Sequence, residues 1–376
     1  MGEEARRVSV VIPTWNGEEL LPLVLGSLRE QTFKDFEVVV VDNGSTDGSV
    51  RLLARDYPEV RVLDFDENLG FSAAVNAGIR ATAGEYVALV NNDVELDPGW
   101  LWTMVTALDC ESRAGFAASR IRRYWQRDTL ESAGDCVSIS PKGRGHGMQD
   151  GPRFDRPAWV TSASAAAAVY RRSLLEEIGL FNEDYFAYFE DVELGMRAQI
   201  AGYPCLYVPE AIAYHKGGET SRRITDFRAF YGVRNVVQVY FTTFPPRYIL
   251  RYLPRLVSAK FWFALSEGGL KVSLRAALSV FRRIPRMIRR RREIFAMRRI
   301  SPQELTALLD RPRPLSWALL REKIFQYDGS IPRQVRMEEP TGSPGADPLR
   351  PSDAVHDAGI NVARESNSSR HPGGHP

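Results

Sequence analysis

The chain has 376 residues, 44% hydrophobic and 26% charged, enough for one large globular domain with appendages or for two modest domains. Its three widely spaced cysteines, Cys110, Cys136 and Cys205, offer no disulfide framework and no CxxC zinc pair, and they point to a reducing cytosol. The net charge of +2 hides an asymmetry: between Arg247 and Arg299, 15 Lys or Arg stand against only Glu267 and Glu293, so two surfaces with different partners are expected.

In chain order, the opening MGEEARRVSVVIP carries no apolar run long enough for a signal peptide, so export is not expected. Val8-Ser9-Val10-Val11-Ile12, Glu37-Val38-Val39-Val40-Val41, Val60-Arg61-Val62-Leu63 and Tyr86-Val87-Ala88-Leu89-Val90 are short and rich in β-branched residues, as buried strands are. Helical segments are predicted between them at residues 19–30, 49–57 and 72–81. This βαβα order predicts an α/β fold over about residues 8–120, with a mostly parallel, Rossmann-like sheet covered by helices on both faces. Ligands of such sheets sit at the carboxyl ends of the strands.

From about residue 121 to 220 the pattern is mixed. Residues 159–170, a run of small side chains, read as one tightly packed strand, and 192–201 as a helix. Residues 220–300 read as helices broken at Phe244-Pro245-Pro246, Pro254 and Pro285. Residues 337–376, rich in Pro, Gly, Ser and Asp without periodicity, are predicted to be disordered. The expected organisation is a catalytic domain over 1–220, a basic amphipathic helical region over 221–336 and a tail over 337–376. No stretch approaches the roughly 20 apolar residues of a spanning helix, so any meeting with a membrane is expected at its surface.

Polar residues follow three of the strands: Pro13-Thr14-Trp15-Asn16-Gly17, Asp42-Asn43-Gly44-Ser45-Thr46-Asp47-Gly48 and Asn91-Asn92-Asp93. Each alone is ordinary turn chemistry. In a parallel sheet all three open on one edge, where Asn16, Asp42 and Asp93 can converge on a nucleotide pocket. No GxGxxG follows the first strand, so a diphosphate here would need another positive partner, for which Mg²⁺ or Mn²⁺ is the natural candidate. Of the five histidines, His356, His371 and His375 fall in the tail, which leaves His146 and His215; a lone His is otherwise a structural residue. The densest acidic group is Phe181-Asn182-Glu183-Asp184-Tyr185-Phe186-Ala187-Tyr188-Phe189-Glu190-Asp191-Val192-Glu193. Aromatic surroundings can raise a carboxylate there toward the range of a general base, or Asp191 simply caps the following helix.

Together these loops resemble the family-2 glycosyltransferases of the GT-A fold, particularly the rhamnosyltransferase-like members. The matching stretches are Val8 through Asn16, Val40 through Gly48, Asn68-Leu69-Gly70-Phe71 with Asn76-Ala77-Gly78, Asn91-Asn92-Asp93, Tyr188 through Leu194, and His215, in family order. The resemblance implies that Pro13, Thr14, Asn16 and Asp42 hold the base and ribose of a nucleotide-diphospho-sugar, with Asn68, Gly70 and Phe71 completing that side. It implies that Asn91-Asn92-Asp93 stands in place of the DxD motif, Asn91 and Asn92 toward the donor and Asp93 as metal ligand, with His215 as a second ligand. Asp191 matches the proposed catalytic base of an inverting displacement, and Glu190 would orient the acceptor. Arg197 either pairs with these carboxylates or faces solvent. The implied donor is dTDP-rhamnose, and the implied acceptor a lipid-linked sugar or polysaccharide of the cell envelope.

The basic 247–299 region interleaves Phe261-Trp262-Phe263 and Val280-Phe281 with arginines, which predicts a peripheral helix on an anionic membrane, at the inner face of a cytoplasmic enzyme's cell membrane. Helices that only pack on the catalytic domain are the alternative; nucleic acid is not expected, because no base-reading motif is present. Two other functions compete. A sugar-phosphate nucleotidyltransferase needs a glycine-rich basic loop after the first strand, and residues 13–17 contain no Lys or Arg. A non-catalytic nucleotide-sugar-binding scaffold could dispense with Asp93 and Asp191, and both are present.

Overall fold

In the computed structural model, which describes residues 6–137, 142–218 and 226–309, β1 (Val8–Thr14) is buried at every position. An uninterrupted apolar run of this kind belongs to a strand covered on both faces. In chain order follow α1 (Leu21–Arg29), β2 (Phe36–Asp42), α2 (Ser49–Asp56), β3 (Arg61–Asp64), α3 (Phe71–Arg80), β4 (Tyr86–Val90), β5 (Val94–Leu96) and α4 (Trp100–Cys110). Each predicted strand and helix of this half is present within two residues of its expected ends.

The second half runs β6 (Phe116–Arg123), β7 (Gln126–Ala133), β8 (Asp135–Cys136), β9 (Lys142–Gly143), β10 (Ala158–Val160), β11 (Ala167–Arg171), α5 (Arg172–Ile178), α6 (Glu190–Ile200) and β12 (Cys205–His215). The main sheet has the order β10-β12-β6-β11-β4-β1-β2-β3. Strands β1 to β4 pair in parallel, β11 inserts antiparallel between β4 and β6, and β12 runs parallel to β6. The sheet is therefore mixed, with a mostly parallel nucleotide half. Residues 159–170 are not one strand: β10 and β11 lie at separate places in the sheet, and the chain turns between them over residues 161–166.

Side chains alternate across the sheet with the strand period. Val10 and Ile12 join Leu21, Val24, Trp100 and Met104 of α1 and α4 on one face. Val11, Val39 and Val41 join Ala74, Ile79, Leu174 and Leu194 of α3, α5 and α6 on the other. Burying each such side chain is worth roughly 1.5–3 kcal/mol, so the two clusters hold the strand ends in fixed relation.

Three further helices follow, α7 (Phe227–Thr243), α8 (Pro246–Ala296) and α9 (Pro302–Ala307). They share a third cluster with α6, in which Val192, Met196 and Ile200 meet Val236, Tyr240, Leu256, Ile294 and Leu305. The break at Phe244-Pro245-Pro246 occurs as expected, with Phe244 extended ahead of the prolines. Pro254 and Pro285, expected to break the helix, sit inside α8, where buried Leu256 and Met287 just beyond them hold the helix on its neighbours. The kink falls instead at Gly269, whose φ of 74° is the left-handed region that glycine enters without strain. Among the described residues no helix is long and apolar enough to cross a membrane. The predicted tail over 337–376, with His356, His371 and His375, lies outside the described residues, as does the last part of the 221–336 region.

Candidate active site

The crevice opens where two strand ladders part. β1 pairs with β2 to its last residue, Thr14 opposite Asp42, but with β4 only as far as Val11 opposite Leu89. Thr14 turns its carbonyl to the β2 side, where Asn43 N–H donates to it at 2.8 Å. By strand alternation Pro13 faces β4, and it has no N–H with which to continue that ladder. The opening lies between strands whose connections leave in opposite directions, the usual place for a ligand in an open α/β sheet.

The predicted nucleotide residues line this edge. Asn92 Nδ2 crosses from the end of β4 to donate to Thr14 Oγ1 at 2.8 Å. Asn16 adopts φ 51° and its Oδ1 accepts from Thr46 N–H at 2.8 Å, tying the loop after β1 to the loop after β2. Asn43 Nδ2 donates to Asn68 Oδ1 at 3.0 Å and to the Gly70 carbonyl at 3.1 Å, which brings in the loop before α3. Gly70 has φ 93°, and a Cβ there would sit 2.6 Å from the Phe186 ring, while Phe71 N–H donates to the Phe186 carbonyl at 2.6 Å. Asp42 is fully buried; its Oδ1 accepts from Ser45 N–H at 2.8 Å, and its Oδ2 makes no hydrogen bond. Burial pushes this carboxyl above its ordinary pKa, against the pull of the Ser45 hydrogen bonds.

Asp93 and His215 meet because β5 pairs with β12 in the register that sets His215 opposite Val94. His215 Nε2 lies 3.1 Å from Asp93 Oδ1, and its Nδ1 lies 2.8 Å from Glu131 Oε1. Burial alone would depress the imidazole, but the charges and hydrogen bonds of Asp93 and Glu131 raise its pKa well above the ordinary value. Asn91 N–H donates to the Ala166 carbonyl at 2.9 Å, and Asn91 Oδ1 is buried without a hydrogen bond. Among the described residues no group of three or more His, Cys, Asp and Glu side chains is arranged as a metal cage. The second imidazole, His146, contacts the Glu131 carbonyl from Nδ1 at 3.0 Å.

Glu190 and Asp191 form the first turn of α6, whose N-cap is Phe189 rather than Asp191. Asp191 Oδ2 accepts from Ala165 N–H at 3.1 Å and Oδ1 from Val192 N–H at 2.8 Å. Burial nevertheless raises its pKa, outweighing those donors. Glu190 is raised well above the ordinary range, first by burial and then by the charge of Asp191, and its Oε2 has no hydrogen-bond partner. Both acids are therefore held above the ordinary carboxylate range, with Asp191 met by two backbone N–H groups, from Ala165 and Val192, and Glu190 keeping one oxygen without a partner. Arg197 does neither of the things expected of it. Fully buried, it pairs with Glu193 at 3.0 Å and donates to the carbonyls of Gly179 and Leu180 at 2.7 Å, away from Glu190 and Asp191.

The chain segments of the three acids are tied together: Asn43, next to Asp42, bonds Asn68 and Gly70, and Phe71 beyond them bonds Phe186 ahead of the acid pair, while Asn91, two residues before Asp93, bonds Ala166, whose neighbour Ala165 bonds Asp191. Two partners were missed. Asp135 is buried, accepts from Ser132 Oγ at 2.9 Å, and is pushed up to about 7 by burial and the charge of Asp191. Its Gly134-Asp135 context reads as an ordinary turn. Glu131 sits in a mostly polar strand, QRDTLESA, that gives no sign of a histidine partner.

Polar loops at the carboxyl edge of an α/β sheet, tied by hydrogen bonds to the turns around a buried acid pair, are an arrangement that fits a group-transfer enzyme. Residues 9–179 match the glycosyl transferase family 2 model, and residues 149–288 the glycosyl transferase family group 2 model. The N-acetylglucosaminyl-diphospho-decaprenol L-rhamnosyltransferase of Mycobacterium tuberculosis is 33% identical over 240 residues, covering 57% of this chain and 77% of the relative. The uncharacterized glycosyltransferase YibD of Escherichia coli is 37% identical over 187 residues, 46% of this chain and 51% of that one. Among solved structures, GalNAc-T7 with UDP, GalNAc and Mn²⁺ shares the fold, with a TM-score of 0.54 at 17% identity over 68% of this chain and 52% of that chain. The chain belongs to glycosyltransferase family 2, of a rhamnosyltransferase-like kind, and is a glycosyltransferase.

Proposed function

We propose that this enzyme transfers L-rhamnose from dTDP-rhamnose, with inversion, to a lipid-linked sugar or polysaccharide acceptor in cell-envelope glycan synthesis. The observation that supports the reading is a pair of buried oxygens without hydrogen bonds at the strand edge, Asp42 Oδ2 and Asn91 Oδ1, with Asp191 linked to the same edge through Ala165 N–H and the neighbouring Ala166 carbonyl. The sugar, L-rhamnose, and the lipid-diphosphate acceptor follow the name of the mycobacterial relative, and dTDP as the sugar's carrier follows the family resemblance of the sequence.

In this reading Pro13, Thr14, Asn16, Asp42, Asn68, Gly70, Phe71, Asn91 and Asn92 hold the nucleotide. A buried carboxylate oxygen without a donor, such as Asp42 Oδ2, is costly until a ligand N–H or O–H reaches it. Asp93 Oδ1 and His215 Nε2 lie 3.1 Å apart, and on release of the proton that the acids hold on the imidazole they would offer an oxygen and a nitrogen to Mg²⁺ or Mn²⁺, with donor phosphates supplying further oxygens. When bound, the cation supplies positive charge against the departing diphosphate. Asp191 takes the proton of the acceptor hydroxyl as that oxygen bonds to the anomeric carbon and the bond from that carbon to the diphosphate breaks. Protonated Glu190 donates a hydrogen bond that orients the acceptor. A single displacement inverts the anomeric centre.

The acceptor's lipid accounts for the exposed face of α8. Leu270, Leu274, Leu278 and Phe281, spaced at i, i+4, i+8 and i+11, are exposed along one stripe, while Val272, Ala276 and Met287 are buried on another face. Exposed Lys271, Arg275, Arg282 and Arg289 lie between the two. An apolar stripe edged with cations fits the headgroup layer of an anionic bilayer, and supports a peripheral position on the inner face of the cell membrane.

Asp191→Asn tests the base. It should lower transfer by about 10³-fold, the range of general-base catalysis, with nucleotide-sugar affinity kept within a few-fold. Equal losses of affinity and turnover would refute the assignment.

A further inference from the structure

Three aromatic residues with positive φ directly precede the acid pair: Phe186 at 65°, Tyr188 at 69° and Phe189 at 69°. A large side chain in the left-handed region is strained, and such strain persists only where the surroundings over-determine it. The restraint comes from α7. Asn235, fully buried, points its Nδ2 at the carbonyls of Tyr185, Ala187 and Tyr188, at 2.9, 2.7 and 2.8 Å. Arg234 Nε donates to Asn235 Oδ1 at 2.7 Å, which fixes the amide with its N–H groups toward the turn. Arg234 Nη2 adds hydrogen bonds to the carbonyls of Asp184 and Tyr185, at 2.8 and 2.6 Å. From the same helix, the Tyr231 ring stacks on Phe186 with centroids 5.1 Å apart. From the opposite side, Phe71 N–H holds the Phe186 carbonyl.

We propose that Asn235, oriented by Arg234, is a positioning residue for sugar transfer: it holds the 185–189 backbone in its strained path and so sets where Glu190 and Asp191 stand relative to the donor. Buried side chains committed to one turn, and that turn delivering the acid pair, join a helix outside the nucleotide half to the reacting atoms. Because the turn also touches Gly70 and Phe71, its path is set against the donor loop itself. The inference rests on Asp191 being the base. An error of about 1 Å in such a group can cost about 10²-fold in rate.

The test is Asn235→Ala in the full chain, measured beside Asp191→Asn, with dTDP-rhamnose and N-acetylglucosaminyl-diphospho-decaprenol as substrates. The expected result is a fall in kcat of about 10²-fold, with donor affinity within a few-fold of the parent. A kcat within three-fold of the parent, while Asp191→Asn is inactive, overturns the positioning role alone; an active Asp191→Asn overturns the base and the inference with it. Should Asn235→Ala melt early, Val239→Ala, which opens the buried core of the same helix without removing a hydrogen bond to the turn, is the destabilised control. Positioning predicts that kcat falls in the Asn235 variant alone, measured below both melting transitions, and equal falls of kcat in the two variants overturn the inference.

Discussion

Glu190 and Asp191 are neighbours in sequence and share one buried space, yet the backbone treats them differently. Asp191 is met by the N–H groups of Ala165 and Val192, whereas Glu190 keeps an unpartnered oxygen. Asp135 adds a third buried acid within reach of the Asp191 charge. Its folded pKa, about 7, lies above its ordinary value of 3.8, so the folded state holds this proton more tightly than the unfolded chain does. Below the ordinary value both states are protonated and nothing is lost. As pH rises from there through 7 the unfolded state ionises first, and stability falls. Asp135→Asn, which keeps the shape but cannot ionise, should therefore raise the melting temperature more at pH 8 than at pH 5. An equal change at both values would mean that Asp135 is not buried as an acid. At this scale the sequence revealed residues that end strands or belong to an ordered set of loops, such as Asp42, Asp93 and Asp191. It hid Asn235, because a polar pair inside a helix reads as a solvated face until residues 233–240 are found buried without interruption.

Elements were legible where periodicity was strong and hidden where small residues blur it. The first four strands and three helices follow from β-branched runs set between turn residues. The alanines of residues 163–168 carry no period, so β10, β11 and the turn between them merge into one apparent strand. In α8 the prolines misled, since burial on neighbouring helices outweighs their local cost, and the true kink needs only Gly269. The same helix carries the exposed stripe. Leu274→Glu with Phe281→Glu should abolish co-sedimentation with phosphatidylglycerol vesicles while leaving phosphatidylcholine vesicles unbound, as for the parent. Since each basic residue near such a surface contributes about 1 kcal/mol, raised salt should weaken the parent as well. Binding that survives both changes would exclude α8 as the membrane face.

For the whole molecule, the basic helix and the polar strand edge are two separate surfaces, to which the proposed function gives two jobs: a lipid face for the first and an activated sugar for the second. Legibility was best here, because loops at successive strand ends point to one edge whatever their individual chemistry. What could not be read was how the helices after residue 226 join the α6 side of the catalytic half through a shared cluster. A panel of nucleotide-sugars with Mn²⁺ tests the strand edge. A donor present at about 100 times its Kd adds about 2.7 kcal/mol of stability, visible as a rise in melting temperature. dTDP-rhamnose should give the largest rise, and Asp93→Ala should lose the part that depends on Mn²⁺. A larger rise with a UDP- or GDP-sugar would reassign the donor.

At the proposed nucleotide site, the ladder that stops at Val11 leaves the way in open. An imino acid at position 13 cannot be zipped to its neighbour, so the mouth of the cleft is already parted before anything binds. Substrate entry then breaks no strand pairing, and affinity is not spent on prising the sheet apart.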